Sequence, residues 1–115
     1  MTEKLKTELS VLGADVDAGL NICMNMEPLY EKLLRMFVCD NSFALLKEAV
    51  EQNDKGNAYE YAHSLKGAWA NIGFNHLLEL LPQRAEYDTE QTNIQLSLLT
   101  KRYNDTCLVI KENLQ

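Results

Sequence analysis

The chain has 115 residues, enough for one domain around a single hydrophobic core. Apolar residues make up 46% of it and the net charge is −6, a balance that argues against nucleic acid or an anionic membrane as its partner. No segment approaches the roughly 20 apolar residues of a membrane span and the N-terminus does not read as a signal peptide, so the expected location is cytoplasmic.

Only two prolines and few alternating apolar runs point to an all-α fold. Residues 2–12 carry Leu5, Leu9 and Leu12 at helical spacing, with Lys4 and Glu8 paired one turn apart. This short helix is expected to pack across the bundle and to stop at Gly13. Asp15 can cap a second short helix, from Val16 to about Met24. Ile22, Met24 and Met26 then read as core, with some of them forming an exposed apolar rim near His63 for docking a partner as the alternative. Pro28 suits the first turn of a third helix, whose core stripe is Leu29, Leu33, Met36 and Phe37. The stripe resumes after residue 42 as Phe43, Leu46, Ala49 and Val50, so residues 28–52 are expected to form one helix, bent or briefly broken at 40–42.

Asp54 is a good N-cap for the next helix, which runs to Ile72 and stops at Gly73. At about 100° per residue, Ala58, Tyr61, Ala62, Leu65, Ala68, Trp69 and Ile72 fall on one apolar stripe. His63 points away from it, with Tyr59, Lys66, Gly67 and Ala70 beside it. A glycine inside a helix costs about 1 kcal/mol relative to alanine. Either another helix packs on Gly67 or something approaches from outside, and its place on the His63 face favours the second. A helix over residues 75–87 follows, with Leu77, Leu78, Leu80 and Leu81 inward and a kink at Pro82. Residues 88–92 read as a loop. A last helix over 92–113 turns Leu96, Leu99, Tyr103, Cys107, Ile110 and, just past its end, Leu114 to the core. Short connections between the four long helices predict an antiparallel up-down four-helix bundle with two short additional N-terminal helices. Cys23, Cys39 and Cys107 form no metal or disulfide pattern and are expected to be reduced and mostly buried.

The run over residues 62–73, Ala-His-Ser-Leu-Lys-Gly-Ala-Trp-Ala-Asn-Ile-Gly, resembles the signature of histidine-containing phosphotransfer (HPt) domains. Ala62, His63, Leu65, Lys66, Gly67, Ala68, Ile72 and Gly73 match as they stand. Asp54, residues 13–20 (Gly-Ala-Asp-Val-Asp-Ala-Gly-Leu) and residues 29–37 (Leu-Tyr-Glu-Lys-Leu-Leu-Arg-Met-Phe) extend the likeness, which covers roughly residues 10–81. The resemblance implies a phosphocarrier of two-component signalling that is not itself an enzyme. His63 would be the phosphoacceptor and Lys66 the cation that stabilises the phosphoryl group. Gly67 would allow the close approach of a partner. That partner is a response-regulator receiver domain, or a hybrid histidine kinase that carries one. No cofactor or metal is expected on this chain. Mg²⁺ belongs to the receiver, and no nucleotide-binding loop is visible that would supply ATP. The chain is expected to act as a monomer.

The chemistry suits the residues. Imidazole is largely uncharged near neutral pH and offers a ring nitrogen as nucleophile. A metaphosphate-like transition state needs positioning and cationic neutralisation above all. Ser64 is a solvated neighbour, and His76 reads as structural or a bystander. One departure stands out. The family places a polar residue on the following helix to orient the histidine, where the simple register gives Arg84 and Ala85; a shift at Pro82 would bring Glu86, and Gln83 is another candidate. Two other readings compete. One is a non-catalytic helical adaptor that binds a receiver or kinase. The other is the phosphoacceptor module of a chemotaxis-type kinase, against which the initiating Met1 and self-contained ending lean.

Overall fold

The computed structural model describes residues 1–83 and 88–114, and every regular element among them is a helix. None of these helices is long and apolar enough to cross a membrane. In chain order they are α1 (Glu3–Val11), α2 (Val16–Ile22), α3 (Glu27–Cys39), α4 (Ser42–Glu51), α5 (Lys55–Asn71), α6 (Asn75–Leu78) and α7 (Thr89–Asn113).

Local chemistry sets most of the boundaries. Thr2, Asp15, Asp54 and Asp88 each accept a backbone N–H of the first turn of α1, α2, α5 and α7. Four helices end alike. The residue after the C-cap turns into the left-handed region, and paired backbone bonds close the last turn. Gly13, Asn53 and Gly73 are ordinary occupants of that position, but α2 puts Met24 there, at φ 57°. That turn swings Met24 into solvent, 81% exposed, with Ile22 and Met26 also outside. The reading of these three as core is therefore wrong; all three are exposed apolar side chains.

The break between α3 and α4 falls within the segment where the sequence slips phase. Asp40 takes extended backbone, and its carboxylate accepts from the Ser42 amide at 2.9 Å and the Ser42 hydroxyl at 2.7 Å. The stripe of α3 is rotated by about one residue from the expected one. Tyr30, Leu34 and Phe37 are buried, while Leu29 and Met36 are exposed and Leu33 is only partly covered. Two phases of apolar residues compete on this helix. Tyr30 decides between them, because its hydroxyl donates to the Ile72 carbonyl at 2.8 Å and locks α3 to the end of α5. Gly19 of α2 packs into the same corner, where a methyl group would overlap the Tyr30 ring and the Ile72 carbonyl.

The core forms one cluster, with Phe43, Leu46, Ala49 and Val50 of α4 against Ala58, Ala62, Leu65 and Trp69 of α5. Phe37, Phe43, Trp69, Phe74 and Tyr103 form its aromatic centre, mostly edge-on or tilted, at centroid separations from 4.6 to 6.1 Å. Such pairs contribute about 0.5–1.5 kcal/mol each beyond their buried area. Cys23 and Cys107 are buried thiols and Cys39 is exposed.

Three further expectations are corrected. Ala68 is exposed rather than core. The helix expected over 75–87 ends at Leu78, because Leu80 and Leu81 tighten into i→i−3 turns ahead of Pro82, whose ring disfavours helical backbone in the residue before it. The last helix begins at Thr89 instead of residue 92, since Asp88 caps it.

Candidate functional site

α5 holds its apolar stripe against α4 and leaves the opposite face in solvent. Ala58, Ala62, Leu65, Trp69 and Ile72 are buried, and His63, Ser64, Lys66, Gly67 and Ala70 are exposed. The histidine is thus presented on a rigid helix anchored by its own opposite side. Its ring stacks on Tyr59, one turn earlier, at 6.1 Å between centroids and 17° between planes. Among the described residues nothing lies within 4 Å of where a Gly67 side chain would begin, so none of the described helices packs on this glycine and the space they leave beside His63 is open.

His63 and Lys66 line a small cleft of about 50 Å³ together with Tyr59, Ala62, Pro82 and Gln83. The wall opposite α5 is the segment after α6. Gln83 donates from Nε2 to the Leu81 carbonyl at 2.7 Å and more loosely to that of Leu78 at 3.4 Å, while its Oε1 accepts from Lys66 Nζ at 3.3 Å. The polar residue of the following segment therefore engages the lysine, not the imidazole. Arg84, Ala85 and Glu86, the other candidates for this place, lie outside the described residues.

A second feature flanks the same helix. Leu33, Met36 and Phe37 of α3 and Ala68, Trp69 and Ile72 of α5 line an apolar groove of about 280 Å³. On an ideal helix Gly67, Asn71 and Ala68 lie about 40°, 80° and 140° round from His63, so the open glycine leads from the histidine toward this groove. Sequence reasoning missed the groove because it assigned Met36 and Ala68 to the core.

His76 takes no part in this site. It is 6% exposed, wedged between α1 and α7. The Thr106 hydroxyl donates to the Arg102 carbonyl at 2.7 Å, so the 3.0 Å contact between His76 Nε2 and Thr106 Oγ1 requires the proton on Nε2. Nδ1 then has no hydrogen-bond partner. Arg102 bonds the His76 carbonyl and the Glu79 carboxylate at 2.8 and 2.7 Å. Burial, reinforced by the Arg102 charge and partly offset by Glu79, pushes the pKa of His76 down to about 4.

Among the described residues no three His, Cys, Asp or Glu side chains gather where they could hold a metal ion. In comparisons with known proteins, no family model matches this chain, and neither a curated protein nor a solved structure matches it.

Proposed function

We propose that this chain is a phosphorelay intermediate of the histidine-containing phosphotransfer type, carrying a phosphoryl group on His63 between receiver domains. The observation that carries the reading is the placement of an exposed imidazole in one cleft with the Lys66 ammonium, on a helix face that Gly67 leaves open. A ring nitrogen of His63 attacks the phosphorus of a receiver's aspartyl phosphate. The P–N bond forms, the P–O bond breaks, and its electron pair leaves on the aspartate carboxylate. The reverse step delivers the group to another receiver. Lys66 neutralises charge on the phosphoryl oxygens as a point charge, and Mg²⁺ comes with the receiver. The chain supplies an acceptor and a cation rather than a kinase centre.

On this reading the helices form an antiparallel up-down four-helix arrangement in which α3 with α4, α5, the segment beginning with α6, and α7 are the four members. The near-continuous run of α3 into α4 and the short turn between α4 and α5 support it. The receiver covers Gly67 and rests on the apolar ground between α3 and α5. Incubation with a phosphorylated receiver is the test. Acid-labile label on the wild type and none on His63→Gln is the expected result. Stable binding without label would replace this reading with that of a non-catalytic adaptor.

A further inference from the structure

Gln83 is exposed, yet its side chain is held at three points. The amide nitrogen donates to the carbonyls of Leu81 and Leu78, which fixes which end of the amide faces the cleft. Turning the amide over would set an oxygen against two carbonyl oxygens and an NH₂ against the Lys66 ammonium. The oxygen must therefore face Lys66, and the anchor is backbone that follows directly from α6, itself tied to α7 through Arg102 and His76. A lysine side chain on an exposed helix face otherwise samples many rotamers. Here one of its three donors is occupied by a neutral acceptor at the edge of the cleft that holds His63. The other two remain for incoming oxygens.

We infer that Gln83 is a positioning residue that acts through Lys66, holding the ammonium beside His63 so that the cation is in place before the phosphoryl group arrives. The inference rests on the phosphoryl-acceptor reading above. It differs from a role on the imidazole, because no hydrogen bond among the described residues joins Gln83 to His63, whereas one joins it to Lys66. A neutral amide suits the task better than a carboxylate, since it holds the ammonium without cancelling the charge that the phosphoryl oxygens need.

A double-mutant cycle read with potassium phosphoramidate tests this, because so small a donor needs no docking surface. In that reaction the donor's P–N bond breaks, a P–N bond to the imidazole forms, and the imidazole proton leaves with ammonia. Gln83→Ala and Gln83→Met, the second keeping the side chain's bulk, should each slow labelling of His63 several-fold with unchanged denaturant midpoints. Neither should slow it further in a Lys66→Ala background. The Lys66 ammonium signal in ¹⁵N NMR should also shift in both single Gln83 variants. Wild-type rates in the Gln83 variants, faster labelling, or an equal extra loss without Lys66 would overturn the inference while leaving His63 as acceptor. A wild-type chain that takes no label from phosphoramidate or from a phosphorylated receiver would instead remove the acceptor reading, and this inference with it.

Discussion

His63 stands in solvent on α5, stacked on Tyr59 and facing a lysine, with open space one turn away. His76 is closed in between α1, α6 and α7, its Nε2 proton committed to Thr106 and its Nδ1 facing nothing that can donate. One side chain type is used twice for opposite ends. At the first place the ring stays in solvent and adds little to the packing of the helices. At the second the protein takes the ring out of water, suppresses its charge and uses it as a bolt between helices. What separates the exposed histidine from the structural one here is the face of the helix it occupies and what closes over it.

The largest expected contrast is in labelling. His63→Gln should abolish phosphate acceptance from a phosphorylated receiver while its circular dichroism and melting curve stay those of the wild type, since the ring opposes the buried stripe. His76→Ala should keep the label and lose stability, by about 2–4 kcal/mol, through the vacated volume and the lost hydrogen bond to Thr106. Label that persists on His63→Gln, or that moves to His76, would erase the distinction.

Acid should sharpen it. His76 titrates near pH 6.5 in the unfolded chain and near about 4 in the folded one, so the unfolded state binds the extra proton between those values. Its contribution to stability is complete above pH 6.5, falls as pH drops through that window, and is gone below about 4. At about 1.4 kcal/mol per unit, the loss is on the order of a few kcal/mol at most. Denaturant midpoints taken from pH 7 to 4 should fall less in His76→Gln than in wild type, and a parallel fall in both would assign the acid sensitivity elsewhere. Lys66→Ala comes next in size. It should slow transfer roughly 10-fold and leave helicity intact, because only a solvated cation near developing charge is removed. An unchanged single-turnover rate would make Lys66 a solubilising charge and nothing more.

How much of this was legible in the sequence depends on the range of the interaction that decides it. The caps at Asp15 and Asp54, the stop at Gly73 and, Ala68 apart, the opposed faces of α5 are local, and they are where periodicity and capping chemistry put them. The stripe of α3 was not, because Leu29, Leu33 and Met36 make as good a helical face as Tyr30, Leu34 and Phe37 until Tyr30 meets the Ile72 carbonyl 42 residues away. Met24 misled for a different reason. Glycine is the expected residue for a left-handed helix end, and nothing in the sequence announces that a methionine takes that position. The site divides the same way. His63, Lys66 and Gly67 share one helix and could be placed from spacing alone, whereas the Gln83 contact needs a chain reversal and a proline-terminated turn to bring it across from residue 83.

The smallest expected effect comes from two glycines that accompany the two histidines. Gly13 sits against His76, at φ 105°, with the position of an added methyl only 3.0 Å from the His76 Cβ. Gly67 sits one turn from His63, and none of the described residues comes within 4 Å of the position of an added methyl there. Alanine at Gly13 meets both a backbone conformation that L side chains avoid and a buried neighbour, so it should destabilise by about 1–3 kcal/mol. Alanine at Gly67 should do the reverse and stabilise by up to about 1 kcal/mol, through helix propensity and a less flexible unfolded chain. Glutamine at Gly67 should be tolerated by the fold for the same reason. Transfer should respond in the other direction, falling from Gly to Ala to Gln, because each added atom holds a receiver's surface further from the imidazole and a displacement of about 1 Å can cost on the order of 100-fold in rate. With phosphoramidate as donor the Gly67 variants should lose far less, since that molecule needs no surface to dock on. A fall in stability that tracks side-chain size at Gly67, or an equal loss with both donors, would show that the glycine serves the helix or the cleft rather than the approach of a partner.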